Sequence, residues 1–232
     1  MSIVMNAKQQ AARHAASLIK DGMVVGLGTG STANYFIEAL ALRQQQGLDV
    51  STVASSVVST IKAAELGLKQ VGFEYLSSID VYVDGADEVS PDMTLLKGRG
   101  SDLVREKLLA RASDQFYVLV DKSKLVDRIG QNFPIPIEVM PFAWRLVLES
   151  IKKLGGEGQL RETASGDGLA MTSHGSLVLD MTFDEAIGVR ELNNMLNAVP
   201  GVVEHGIFEQ LATAIFIGND HSELEQQWKE TS

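Results

Sequence analysis

Between residues 7 and 120, short apolar runs alternate with stretches of 3.6-residue periodicity, and this alternation constrains the fold more than any other feature of the chain. Ala11, Ala12, Ala15, Ala16 and Ile19 recur at helical spacing until Asp21-Gly22 breaks the pattern. Residues 23–27 then read as a short buried strand, and Ala33, Phe36, Ile37 and Leu40 resume the helical period. The same reading predicts strands near 50–55, 79–83 and 116–120, with helices near 57–66 and 102–111. Strands that alternate with helices imply a largely parallel sheet covered on both faces, a Rossmann-like α/β domain.

The texture changes after Ile129, where Pro134, Pro136 and Pro141 fall close together around a predicted strand at 137–140. A helix over 142–154, strands at 159–163 and 177–181, a helix over 184–197 and a strand at 202–208 follow. That order resembles a small α+β domain of ferredoxin-like type. Residues 212–217 are expected to return to the first domain as a last strand, leaving a polar tail. The expected division is therefore 1–130 plus about 209–232 for the first domain and 131–208 for the second, the smaller one being placed at an oligomer interface.

A chain of 232 residues, 45% hydrophobic and 22% charged, has room for two unequal domains. Its net charge of −10 and pI near 4.9 argue against a nucleic-acid partner, which needs a basic footprint. An anionic substrate would need a locally positive pocket. Without cysteine there is no disulfide or thiolate site, and histidines at 14, 174, 205 and 221 are too scattered to pair as metal ligands. No metal or cofactor is expected. Apolar stretches are short, and Lys8, Gln9, Gln10 and Arg13 stand near the N-terminus, so we expect a soluble cytoplasmic protein without export signal or membrane partner.

Gly26-Leu27-Gly28-Thr29-Gly30-Ser31-Thr32 joins a predicted strand to a predicted helix, where glycines let backbone N–H groups approach an anion. The dinucleotide fingerprint would need Gly at position 31, and the Walker pattern would need Gly-Lys before the hydroxyl residue; neither is present. A tight turn with Ser31 as helix N-cap explains one hydroxyl but not three glycines and three hydroxyls together, which favours a phosphate cradle.

Asp84-Gly85-Ala86-Asp87-Glu88 follows the strand predicted at 79–83, at the strand end where parallel sheets bind ligands. A solvated Asp-Gly turn explains it about as well. Lys97-Gly98-Arg99-Gly100-Ser101 precedes a helix whose second turn is expected to carry Glu106, bringing a cation and a carboxylate together. Taken alone, the pattern fits better a capped helix with Glu106 and Lys107 in solvent, because most helical Glu–Lys pairs lie on the surface.

GLGTGST, then DGADE, then the lysine-glycine segment followed by REK, then DKSK at 121–124 are similar, in order and spacing, to ribose-5-phosphate isomerase of the A type. The likeness covers nearly the whole chain, including residues 134–139 and 198–203. It implies an aldose–ketose isomerase of the non-oxidative pentose phosphate pathway, forming dimers or tetramers. It implies Glu106 as the base that moves a proton between C1 and C2, Asp84 and Asp87 as partners of the sugar hydroxyls, and Lys97 as the cation offsetting oxyanion charge. Thr29, Gly30, Ser31 and Thr32 would hold the phosphate, with Lys8 and Lys124 beside them; Gly85, Ala86, Gly98, Arg99 and Gly100 would complete the substrate-binding set.

Arg99 and Asp102 depart from that family's pattern of three glycines and small residues, and their spacing suggests that they pair with each other. Two other readings are a sugar-phosphate sensor domain, which would need a DNA-reading module, and a nucleotide-dependent oxidoreductase, disfavoured by the missing glycine.

Overall fold

The structure, a computed structural model, describes residues 6–219 and 224–230; His221 lies outside them. In chain order the elements are α1 (Ala7–Ser17), β1 (Val24–Leu27), α2 (Ser31–Gln45), β2 (Ser51–Ala54), α3 (Val57–Glu65), β3 (Ile79–Gly85), β4 (Glu88–Val89) and β5 (Leu95–Leu96). They continue with α4 (Leu103–Ala112), β6 (Ser113–Asp121), β7 (Ile135–Val139), α5 (Trp144–Lys153), β8 (Gly156–Leu160) and β9 (Leu177–Phe183). The last are α6 (Val189–Asn197), β10 (Val202–His205), β11 (Ile207–Phe208), β12 (Ala214–Gly218) and β13 (Leu224–Trp228).

The chain divides into two compact units, the first comprising Met1–Ala86, Arg105–Leu125 and Leu211–Ser232, the second Asp87–Val104 and Val126–Gln210. Residues 87–104 thus group with the second unit, an excursion that the expected division into 1–130 plus about 209–232 and 131–208 does not contain.

In the first unit six strands run in the order β13-β12-β6-β3-β1-β2. β2, β1, β3, β6 and β12 pair in parallel, and β13 closes the edge antiparallel to β12. Parallel strands buried on both faces read as continuous apolar runs. Phe116, Val118, Leu119 and Val120 of β6 accordingly bury almost all their surface. α1 starts on a capping box between Asn6 and Gln9 and buries Ala11, Ala12, Ala15 and Ala16. Within the expected polar tail, Leu224–Trp228 forms a strand that pairs with β12 over five residues. α2 carries the chain from β1 to β2, and α3, ion-paired to α2 through Lys62 and Glu38, leads on to Gln70, which bridges Thr52 of β2 in parallel. The chain then returns to β3 on the other side of β1, so the strand order reverses between β1 and β3. Ligands of open α/β sheets bind beyond the strand carboxyl ends at such a point.

In the second unit β7, α5, β8, β9, α6 and β10 form a four-stranded antiparallel sheet in the order β10-β7-β9-β8. This is the ferredoxin-like connectivity expected from the sequence. Ile137, Leu179 and Met181 pack with Val147, Ile151, Leu192 and Leu196 in its core. α6 starts five residues later than expected, since Asp184 accepts from the Ala186 N–H at 2.8 Å and holds a turn instead. The strand expected over 202–208 splits at Gly206, where a Cβ would lie 2.3 Å from the Lys97 carbonyl; β10 pairs with β7 and β11 with β5.

Candidate active site

The first unit builds a turn around a buried carboxylate. Gly28 donates its N–H to the Val83 carbonyl at 2.9 Å, and a Cβ there would lie 2.0 Å from Asp84 Oδ1, so only glycine allows this approach. Thr29 N–H donates to Asp84 Oδ1 at 3.1 Å. Gly30, at φ +105°, is the N-cap of α2 and makes no side-chain capping bond; Ser31 is the first helical residue rather than the cap. Its hydroxyl instead accepts from Lys8 Nζ at 3.1 Å. A helix of 15 residues therefore presents free N–H groups and the positive end of its dipole next to an ammonium group. A cavity of about 830 Å³ opens here, lined by Lys8, Ser31, Tyr35, Asp121, Lys122 and Ser123 among others. Lys124 belongs to the same turn after β6 but does not line the cavity.

Behind the turn the Thr29 hydroxyl meets Ser55 Oγ at 2.8 Å, Ser56 Oγ at 2.7 Å and Ser59 Oγ at 3.2 Å, while Ser59 Oγ donates to the Gly28 carbonyl at 2.7 Å. Ser56 also caps α3. The Thr29 side chain thus anchors the loop, whereas its backbone N–H is spent on Asp84.

Asp84 lies within β3, with Gly85 opposite Leu119 of β6, so the acidic segment begins inside the sheet and not in a solvated turn. The Asp84 side chain is fully buried. Its Oδ1 also accepts from Gly85 N–H at 2.7 Å, and Oδ2 accepts from the Tyr82 hydroxyl at 2.5 Å. Burial, then the charges of Asp84 and Glu106, push the Tyr82 phenol well above the usual tyrosine range and keep it a donor. Glu106 stands in the first turn of α4, one turn earlier than expected. Glu106 and Lys107 are 5% and 3% exposed, which overturns the solvent-facing alternative. Arg105 fixes this turn by donating to the Ala54 carbonyl at 3.1 Å.

The second unit carries the remaining sequence candidates. Asp87 donates its N–H to the Leu96 carbonyl at 2.8 Å, and Lys97, 4% exposed, donates its N–H to Gly206 at 2.9 Å with Nζ 5.8 Å from the Phe208 ring. Gly98 at φ +97° and Ser101 at φ +65° turn the chain sharply. Arg99 N–H points at Asp87 Oδ2, 3.4 Å away. The expected Arg99–Asp102 pair does not form: the Arg99 guanidinium lies 4.0 Å from the centre of the Phe133 ring, and Asp102 accepts from the Ser173 hydroxyl. The two left-handed residues send these side chains to different partners. Glu88 is structural, since its buried carboxylate accepts the N–H groups of Gly130, Asn132 and Phe133 at 2.6, 2.6 and 2.9 Å.

Within the first unit the structure gathers Lys8, the 29–32 turn and Asp84 at one end of the sheet; within the second it gathers Asp87, Lys97 and the 98–100 segment. Sequence reasoning missed Tyr82 and the Ser55, Ser56, Ser59 cluster. Ser-Ser before an apolar helical run was a legible capping signal, but Tyr82 reads as one more strand residue. Among the described residues, no group of three or more His, Asp or Glu side chains is arranged to hold a metal ion.

The family model described as ribose 5-phosphate isomerase A (phosphoriboisomerase A) matches residues 51–222. The ribose-5-phosphate isomerase A of Thermococcus kodakarensis is 43% identical over 213 residues, 91% of this chain and 93% of that one. The solved ribose 5-phosphate isomerase A of Methanocaldococcus jannaschii superposes with a TM-score of 0.90 at 36% identity, covering 96% of this chain and 98% of that one. A D-ribose-5-phosphate isomerase solved in complex with phospho-erythronic acid gives a TM-score of 0.92, also at 36% identity, over 97% of this chain and all (100%) of that one.

Proposed function

The chain belongs to the ribose 5-phosphate isomerase A family, and from that membership we propose that it interconverts D-ribose 5-phosphate and D-ribulose 5-phosphate. Glu106 removes the C2 proton of the open-chain aldose, the electrons pass through an enediolate, and the proton returns to C1 while another moves between O2 and O1. The hydrogen stays within one substrate, so the reaction is redox-neutral overall. Such a step needs a positioned base and fixed partners for the oxyanion. Lys97 offsets that charge, and Asp84 and Asp87 bind the hydroxyls and assist ring opening. The phosphate sits at the N-terminus of α2 on residues 30–32, with Thr29 anchoring the loop beneath them, Lys8 as its cation and Lys124 nearby; holding it fixes the reacting carbons relative to the base.

One observation carries this reading: in a chain of net charge −10, Lys8, Ser31 and the start of α2 line one cavity, and the same turn is bonded to a buried carboxylate at the carboxyl end of β3. Mixing the purified protein with ribose 5-phosphate tests it, with ketose formation expected. Calorimetric binding without ketose formation would instead support the sensor reading.

The assembly we propose is a homodimer or homotetramer through the second unit, where Phe142 and Leu146 are 85% and 76% exposed beside Met140. Sedimentation of the purified protein tests it; a monomer at micromolar concentration contradicts it. The proposed location is the cytoplasm; among the described residues no helix is long and apolar enough to cross a membrane.

A further inference from the structure

We propose that Arg161, held by Asp180, is a positioning residue that sets the backbone of residues 98–101 and so places Lys97, an inference that rests on the isomerase reading of that loop. Arg161 directly follows β8, and its own backbone is fixed on both sides, donating N–H to the Val178 carbonyl at 2.8 Å and accepting from Ala170 N–H at 2.9 Å. Its side chain forms a fork on Asp180, Nε to Oδ2 at 2.8 Å and Nη2 to Oδ1 at 2.6 Å, with the two side chains 14% and 25% exposed. That geometry locks the plane of the guanidinium.

The remaining nitrogen, Nη1, is aimed at the loop. It lies 3.0 Å from the Gly98 carbonyl oxygen, 3.1 Å from that of Arg99 and 3.1 Å from Ser101 Oγ. Within the loop Ser101 N–H donates to the Gly98 carbonyl at 3.1 Å, and Ser101 is a non-glycine residue at φ +65°. A strained segment of this kind persists only when its surroundings over-determine it. In a trans peptide the C=O and N–H point in opposite directions. With the Gly98 and Arg99 carbonyls turned to Arg161, the N–H groups of Arg99 and Gly100 face away from it, and that of Arg99 points at Asp87 Oδ2. One guanidinium therefore orients two successive peptide donors on the side of a carboxylate that the proposed reaction uses.

The test compares Arg161→Lys, Arg161→Met and Asp180→Asn with Lys97→Met and the parent, reading kcat and KM for ribose 5-phosphate, inhibition by inorganic phosphate, and inhibition by phospho-erythronic acid, whose carboxylate offers two oxygens where an enediolate carries O1 and O2. Displacing the loop by about 1 Å should lower kcat by about 10²-fold. Binding of phospho-erythronic acid should weaken with it, whereas inhibition by inorganic phosphate, held by the first unit, stays as in the parent. Parent-like kcat in a folded Arg161→Lys, or equal weakening of both inhibitors, would overturn the proposal. Should either Arg161 variant fail to fold, Asp180→Asn carries the same comparison. If Lys97→Met also keeps full turnover, the isomerase reading of the loop is what fails; if it loses turnover while the Arg161 and Asp180 variants do not, only this inference fails.

Discussion

Tyr82 donates its phenolic proton to Asp84 Oδ2 at 2.5 Å, and both side chains are fully buried, two residues apart on the same face of β3. The tyrosine ring stacks on Phe116 at 4.8 Å between centroids, so the donor cannot drift. Tyr82→Phe keeps that packing and removes the phenolic hydrogen bond to Asp84. A buried carboxylate oxygen left short of a donor costs about 1–3 kcal/mol. Urea unfolding should show that loss, and turnover should fall as Asp84 relaxes. Unchanged stability and rate would show that Asp84 does not depend on the phenol.

Gly28→Ala should abolish turnover and reduce soluble yield, because the new Cβ would stand 2.0 Å from Asp84 Oδ1. Gly30→Ala is the comparison. Nothing lies within 4 Å of its added Cβ, and only the backbone at φ +105° and ψ −178°, a region almost confined to glycine, opposes it, a cost of about 1–3 kcal/mol. Expression level and activity of the two variants should therefore separate clearly; equal behaviour contradicts the close approach.

Glu138 on β7 provides a pH-dependent prediction. Burial pushes its carboxyl above the usual carboxylate range, against hydrogen bonds from Thr172 and Ser176 and the nearby His174, while Asp102 adds to the rise. A raised value means that the folded state holds the proton more tightly than the unfolded chain does. The stability this group contributes is therefore complete below the ordinary glutamate value and is lost as pH climbs through the raised one. The difference in melting temperature between the parent and Glu138→Gln should fall steadily as pH rises from about 4 to 8. A difference that stays level or grows with pH contradicts this assignment.

Much of the fold was legible because parallel strands buried on both faces leave unbroken apolar runs, as at residues 116–120, and because helices such as α1 keep a buried alanine face. β4 and β5 were not legible, since two residues each carry no period. Nor was β13, whose Leu-Glu-Gln-Gln-Trp sequence becomes a strand only by pairing with β12. At the site, the glycine turn and the order of acids and lysine could be read locally. The depth of Asp84 and Glu106 could not, because burial is supplied by the rest of the sheet and helices. Arg99 shows the same limit: spacing suggested Asp102 three residues away, while its actual neighbour is the Phe133 ring, brought there by a loop that Glu88 holds through three backbone N–H groups.

Arg99→Gly should consequently leave turnover within a few-fold of the parent and cost about 0.5–1 kcal/mol, the scale of an exposed cation–π contact. Phe133→Leu should produce a similar loss, and combining the two should add little to either alone. Fully additive losses in urea unfolding would mean that the ring and the guanidinium act separately.

The most direct test of the account is the turnover of Glu106→Gln, in which a nearly isosteric amide replaces the proposed base. Removing a general base typically costs about 10²–10⁴-fold in rate. The account predicts that loss in isomerisation, with ribose 5-phosphate still bound at near-parent affinity by calorimetry; turnover close to that of the parent would contradict it.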